Sequence, residues 1–246
     1  MRAIGIDVGG SGVKAALVDI AAGEFVGDRV RVDTPQPATP DAVVAATRDL
    51  IAGFPADLPV GIGFPAPVID GVTTTAANVD AAWVGAPARD LFADALGRAV
   101  VVVNDADAAG VGEVRHGAAR GEPGVVLLLT LGTGIGSALL SDGVLVPNTE
   151  FGHLQVRGHD AEHLASAAVR EDEDLSWAHW AERLSEVISA MDALLWPDLV
   201  LLGGGVSRKS EKFSPLLDVR PPVRPAALRN KAGIIGAACL AADAAA

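Results

Sequence analysis

The sequence predicts an α/β fold built in two halves, and three observations carry that reading. First, Val101-Val102-Val103 reads as a buried strand that breaks at once into Asn104-Asp105-Ala106-Asp107. Carboxylates just past the end of a buried strand occupy the edge where open α/β sheets place their sites. Second, a strand, a glycine-rich turn and a second strand occur twice. Residues 3–8, 9–12 and 13–19 form one set, and residues 124–130, 131–136 and 137–140 the other. Third, Trp177, Trp180, Leu184, Val187, Ile188, Met191, Leu194 and Leu195 recur at helical spacing across 176–195.

Each element follows from local chemistry. The turn Gly9-Gly10-Ser11-Gly12 has three glycines, so its backbone can approach a ligand without an intervening Cβ. Its N–H groups can cradle a phosphate. Asp7, at the strand end, can hold Mg²⁺ directly or through water. No helix follows this turn, which argues against a dinucleotide fingerprint. Residues 24–32 read as a third strand, 34–40 as a proline-rich loop, 41–52 as a helix and 60–64 as a buried strand closed by Pro65 and Pro67. Asp70-Gly71 marks a turn. Asn78 and Asp80 lie in a stretch without a period, where such residues contact a sugar or serve a turn. A helix over 87–96 leads to the strand at 101–103. Helix capping accounts comfortably for one of Asn104, Asp105 and Asp107, but three polar residues within four positions favour a site.

The second half repeats the device. Leu131-Gly132-Thr133-Gly134-Ile135-Gly136 is a second small-residue turn, and Asp142-Gly143 ends the strand after it. Two such hairpins suit two related domains clamping a phosphate chain. Glu150 and His153 can hydrogen-bond a polyol, and Glu162 opens a helix, where the dipole favours a carboxylate. The tryptophans of 176–195 read as packing residues. After Pro197 comes a strand at 199–202, and Gly203-Gly204-Gly205-Val206-Ser207 turns into a further helix. That turn fits the flat face of a nucleoside or close packing. Residues 232–242 read as an apolar C-terminal helix returning to the N-terminal half.

Charge narrows the function. The net charge of −12 opposes general nucleic-acid binding. Between Gly203 and Lys231, however, Arg208, Lys209, Lys212, Arg220, Arg224, Arg229 and Lys231 face only Glu211 and Asp218. That local excess suits a polyanion track or a solvated face. A single cysteine, Cys239, excludes an intramolecular disulfide and a cysteine-cluster zinc site. Neither a signal-peptide layout nor a membrane-length apolar run is evident, so a cytoplasmic protein without a membrane partner is expected.

Taken together, Asp7-Val8-Gly9-Gly10-Ser11-Gly12-Val13-Lys14, Asn104-Asp105-Ala106, Leu131-Gly132-Thr133-Gly134-Ile135-Gly136, Glu150-Phe151-Gly152-His153 and Gly203-Gly204-Gly205-Val206-Ser207 resemble the ROK family of repressors and sugar kinases. Within it, Thr75-Ala76-Ala77-Asn78-Val79-Asp80, Glu162-His163-Leu164-Ala165-Ser166, Val169-Arg170-Glu171, Asp174-Leu175-Ser176-Trp177 and 226–234 resemble the polyphosphate glucokinases of actinobacteria. The resemblance implies an actin-like, ribonuclease-H-like fold with two α/β lobes around a central cleft. The expected division is 1–110, 111–230 and a returning helix at 231–246.

The resemblance also implies roles. Asp105 is the catalytic base, and Asn78, Asn104, Asp105, Glu150, His153 and Glu162 bind glucose. Gly9, Gly10, Ser11, Gly12, Lys14, Gly132, Thr133, Gly134 and Gly136 bind phosphate. From the glycine turn and the local charge excess, Gly203, Gly204, Gly205, Arg208, Lys209, Lys212, Arg229 and Lys231 are donor-site candidates. The donor is inorganic polyphosphate, with ATP as a second donor, Mg²⁺ as cofactor and a homodimer as the assembly. Many ROK kinases follow Glu-x-Gly-His with a zinc-binding cysteine cluster. Residues 154–162 contain no cysteine, so no zinc site is expected. The first strand begins without a preceding helix-turn-helix, which disfavours a DNA-binding repressor. An ATP-dependent ROK hexose kinase is the enzyme rival. A silent sugar-binding regulator and an actin-like filament protein are the rivals of other classes.

Overall fold

The computed structural model describes residues Met1–Ala246, which divide into two compact units. One comprises Met1–Gly112 with Lys231–Ala246, and the other Glu113–Asn230.

In the first unit, β1 (Arg2–Gly9) and β2 (Gly12–Asp19) form an antiparallel hairpin. The third strand expected over 24–32 is two short ones, β3 (Glu24–Phe25) and β4 (Val30–Val32), each paired with β2. Gly27, at φ +82°, lies between them in the left-handed region and breaks the run. Helix α1 (Pro40–Leu50) starts where Thr39 caps Ala42 N–H. Strand β5 (Val60–Phe64) is buried throughout, as a central parallel strand should be. A small hairpin, β6 (Val68–Ile69) and β7 (Val72–Thr73), turns at Asp70-Gly71, both with positive φ. Helix α2 (Ala88–Leu96) ends on Gly97 in the left-handed region and feeds β8 (Val100–Asn104). The strand order is β3-β2-β1-β5-β8, and β1, β5 and β8 run parallel. One face is filled by Phe64, Trp83 and Phe92, whose rings meet at 4.5 and 5.9 Å. Such aromatic pairs contribute about 0.5–1.5 kcal/mol beyond their buried area. Helix α3 (Asp105–His116) then carries the chain out of this unit after Gly112.

The second unit repeats the plan. Strands β9 (Val125–Leu131), β10 (Ile135–Ser141) and β11 (Val144–Val146) form an antiparallel meander. A small hairpin of β12 (Gln155–Val156) and β13 (His159–Asp160) precedes α4 (Ala161–Ala165) and α5 (Ala167–Asp172). Helix α6 (Trp177–Leu195) is capped by Ser176, and β14 (Leu199–Gly203) and β15 (Val223–Pro225) complete the sheet. Its order is β11-β10-β9-β14-β15, with β9, β14 and β15 parallel. Two antiparallel strands followed by three parallel ones therefore occur in each unit. The helix expected after Gly203-Gly204-Gly205 is a 3₁₀ segment, Gly205–Lys212, interrupted at Lys209. Trp180 is fully buried and donates from its indole N–H to the Ala165 and Ser166 carbonyls.

Helix α7 (Ala232–Ala244) rejoins the first unit and lies on β1, β5 and β8. Alanines and glycines make this contact close. A Cβ on Gly5 would fall 1.9 Å from the Ile234 carbonyl oxygen, and one on Gly61 1.8 Å from that of Ala237. No side chain fits there without shifting backbone. Cys239 lies inside this helix, fully buried.

Candidate functional site

The parallel strands of the first unit bring its polar residues to one edge. The register pairs Asp7 with Gly63 and Phe64 with Asn104, so Asp7 and the Asn104-Asp105 pair leave the same edge of the sheet on either side of β5. Gly63 lies between them, and a Cβ there would stand in ordinary contact with the Asp105 Cα at 3.5 Å. Gly233, at the start of α7, faces the Asp105 carbonyl oxygen and Asp7 Oδ1. Asn104 is the helix cap: its Oδ1 accepts from Ala106 N–H at 2.9 Å and Asp107 N–H at 3.1 Å. Asp105 Oδ1 accepts from Ala106 N–H at 2.8 Å, which orients its carboxylate at the first turn of α3. Asp107 is 1% exposed and belongs to the interior.

The first glycine-rich turn is braced on several sides. Thr34 Oγ1 donates to the Gly9 carbonyl, and Arg31 Nη2 to that of Ser11 at 3.0 Å. A Cβ on Gly10 would meet the Asn78 carbonyl oxygen at 3.0 Å, and one on Gly12 would meet Arg31 Nε at 2.7 Å. Asn78 thus sits exposed beside the turn, whereas Asp80 caps the 3₁₀ turn Ala81–Trp83. Lys14 does not extend freely toward the turn. Its Nζ is 2.8 Å from Asp7 Oδ2, directly across the hairpin. Arg31 is a cation beside this turn that no sequence pattern marks.

In the second unit Glu162 lies against the second turn. Its Oε2 accepts from Ile135 N–H at 3.3 Å and stands 2.3 Å from where a Cβ on Gly134 would be. Glu150 is set by a residue the sequence reading missed. Ser137 Oγ donates to the Thr149 carbonyl at 2.6 Å and accepts from Phe151 N–H at 3.0 Å, gripping the chain on both sides of Glu150. Desolvation raises the Glu150 carboxyl above its ordinary value, opposed by His153 and reinforced by Glu162.

His153 Nδ1 lies 3.0 Å from Asp160 Oδ2 and 4.0 Å from Glu162 Oε1. Donor atoms of His153, Asp160 and Glu162 fall within 4.8 Å of one another, spacing that a cation could bridge, while hydrogen bonds to His153 and Gln155 already engage Asp160. The bond to Asp160 is the largest cause raising the His153 pKa above 6.5, and the same bond lowers that of Asp160. Because the folded value is the higher one, this contact stabilises the fold below about pH 6.5 and the contribution fades as pH rises through the raised value. An NMR titration of the His153 ring should give a midpoint above 6.5, and Asp160→Asn should move it back down. An unmoved midpoint would remove Asp160 as the cause.

The third glycine turn lies against the second. Gly204 has φ +80°, and a Cβ there would fall 2.2 Å from the Leu131 carbonyl oxygen. The basic segment is not one surface. Arg220 pairs with Asp192 and Arg224 with Glu122, so both are neutralised. Lys209 and Lys212 converge near Trp177, and Arg208 is exposed on the same segment. Arg229 stands on a separate turn at φ +54°, and Lys231 lies over Phe25 in the first unit.

The chain is similar to known proteins along nearly all of its length. The model of the ROK family matches residues 3–168. The polyphosphate glucokinase of Mycobacterium tuberculosis (strain H37Rv) is 51% identical over 235 residues, covering 95% of this chain and 89% of the relative. The inorganic polyphosphate/ATP-glucomannokinase of Arthrobacter sp. strain KM superposes with a TM-score of 0.94 at 47% identity, covering 99% of each chain. A ROK family glucokinase from Streptomyces griseus, in complex with glucose and AMPPNP, superposes at 0.83 with 27% identity over 99% of this chain and all of the other. With two-thirds of its length matched by the family model and these relatives along nearly all of it, the chain belongs to the ROK family and has the actin-like ATPase fold of its sugar kinases.

Proposed function

We propose that this protein is a polyphosphate glucokinase, moving the terminal phosphoryl group of inorganic polyphosphate to the 6-hydroxyl of glucose, with ATP as a second donor. The observation that carries it is the 51% identity to a polyphosphate glucokinase along 95% of the chain, with Asp105 at the sheet edge in the same sequence. In the reaction, glucose O6 forms a bond to the terminal phosphorus while the bridging P–O bond breaks. The hydroxyl proton passes to Asp105, and polyphosphate leaves one unit shorter.

The chain's residues divide the work. Asn104 spends its Oδ1 on capping, which leaves Nδ2 to a sugar hydroxyl and fixes the start of α3 under Asp105. Asn78, Glu150, His153 and Glu162 are assigned as the other glucose contacts. The carboxylates accept from hydroxyls, and protonated His153 donates. The turns at 9–12 and 132–136 offer backbone N–H groups to phosphate oxygens. Phosphoryl transfer depends on such positioning and on charge stabilisation. Asp7 fits a hydrated Mg²⁺: Lys14 engages Oδ2, while Oδ1 remains open, and Mg²⁺ is commonly held by one or two carboxylates plus substrate phosphates. When bound, the ion supplies positive charge to phosphate oxygens. The reading includes a cytoplasmic location and a homodimer, the assembly that the family resemblance implies.

The test is a matrix of donors against sugars with Mg²⁺ present. Glucose 6-phosphate should form from polyphosphate. Product from ATP alone would assign the enzyme to the ATP-dependent hexose kinases instead. Sugar binding without turnover on any donor would support a regulator.

A further inference from the structure

Beside the second glycine turn, Leu131, Gly132, Thr133, Trp177, Val206 and Lys209 line part of an open pocket of about 290 Å³ within the second unit. Its volume would suit a nucleoside, but its chemistry differs. An indole that received a nucleobase would present an open face for stacking. Trp177 does not: the Arg170 guanidinium carbon lies 3.7 Å from its ring centroid, and Phe213 stacks on it at 5.8 Å with 15° between planes. A base stacking here would have to displace the guanidinium.

The charged residues of the pocket lining are Glu171 and Lys209, one of each sign, and the excess of positive charge lies at its margin, around Trp177. Lys209 Nζ and Lys212 Nζ lie 6.0 and 5.9 Å from the same ring, so three cations surround one indole. Neither lysine pairs with a carboxylate, unlike Arg220 and Arg224 farther along. Arg170 Nε is buried without a hydrogen-bond partner, an uncommon state for a guanidinium nitrogen in a settled surface. Cation–π contact holds the group against the indole but gives its N–H donors no acceptor oxygen. An anionic ligand would supply acceptor oxygens and opposite charge to these groups, and a neutral ligand would supply no charge.

We propose that Arg170, Lys209 and Lys212, gathered on Trp177, bind the internal phosphates of a condensed phosphate chain whose reacting end lies toward the turn at 132–136. The proposal rests on the polyphosphate reading above and adds the residues that set preference for donor length. Trp177 is the scaffold: it holds Arg170 in place, and with that face taken, the pocket selects a phosphate chain over a stacked base. The tie between the regions is direct, because Ala168 N–H at the start of α5 donates to the Gly132 carbonyl at 3.1 Å and Arg170 follows on the same helix.

The experiment measures KM for tripolyphosphate, long-chain polyphosphate and ATP in Arg170→Gln, Lys209→Gln, Lys212→Gln and the triple variant. Each single change should raise KM for the long chain about tenfold or more, the worth of one charge-assisted contact, with a much smaller change for tripolyphosphate. The KM for glucose should stay as it is. Counterion release adds a readout that misfolding would not imitate: the slope of log KM for long polyphosphate against log salt should flatten by roughly one per cation removed. Arg170→Lys, which keeps the charge, should recover most of the long-chain affinity. Equal losses for all donors, or an unchanged salt slope in the triple variant, would overturn the proposal. Failure of the unaltered protein to use any polyphosphate would instead overturn the function it rests on.

Discussion

Asp105→Asn is expected to lower kcat with either donor by about 10²–10⁴-fold, the usual worth of a general base, and to leave glucose affinity nearly unchanged. The two outcomes separate because of what the side chain does in the fold. Its Oδ1 accepts from Ala106 N–H at 2.8 Å, and an asparagine Oδ1 accepts the same bond. Asn104 caps the helix independently, so α3 should start in the same place in the variant. The change therefore removes proton acceptance while preserving shape. A carboxylate is a weak base at neutral pH, so it takes the hydroxyl proton only as the new P–O bond forms. That requirement makes the loss appear in kcat and not in glucose binding. Glucose binding measured by calorimetry and turnover by glucose 6-phosphate formation check it. Turnover within a factor of about three of the unaltered enzyme would withdraw the base assignment, being far below the effect of losing a general base.

How much of this was legible in the sequence depends on the range of the interaction concerned. Strands β1, β2, β5, β8, β9, β10 and β14 and helices α1, α2 and α6 follow from apolar period and turn residues, which are local signals. The error at 24–32 arose because Gly27 breaks a β-rich run, and a single glycine is ambiguous between a strand bulge and a stop. Asn104 and Asp105 stood out because polar residues follow a fully apolar strand without a spacer. Ser137, Arg31 and Asp160 did not, because each acts across a distance that no period records. Ser137 reaches Thr149 and Phe151 across the meander, and Arg31 reaches Ser11 from a strand twenty residues on. The charge run of 203–231 was visible but misleading as a whole. Its count could not reveal that Arg220 and Arg224 are neutralised by Asp192 and Glu122. Nor could spacing along the chain show that Arg170, from a different helix, joins Lys209 and Lys212.

Glu113→Ala should cost about 3–5 kcal/mol of stability, because three buried backbone N–H groups would lose their acceptor at about 1–3 kcal/mol each. The Glu113 side chain is fully buried, yet it makes no ion pair with a neighbouring lysine or arginine. Three backbone N–H groups serve it instead: Ala118 at 2.8 Å, Ala227 at 3.0 Å and Leu228 at 2.7 Å. A buried carboxylate is tolerated when several donors converge on it, and each donor is orphaned when the carboxylate is removed. The position magnifies the effect. Glu113 is the first residue of the second unit, and the amides of Ala227 and Leu228 lie just ahead of the return at Lys231. One carboxylate therefore ties the outgoing segment of chain to the returning one. Gly117 confirms the closeness of the fit, since a Cβ there would fall 2.0 Å from Glu113 Oε2. Glu113→Gln keeps one acceptor oxygen but turns an NH₂ group toward a backbone donor, so it should lose a substantial part of the same stability. Urea unfolding and melting curves measure both variants, and Glu113→Ala should melt on the order of 10 °C lower. Unchanged midpoints would mean that water replaces the carboxylate at little cost, and the tie would then be dispensable.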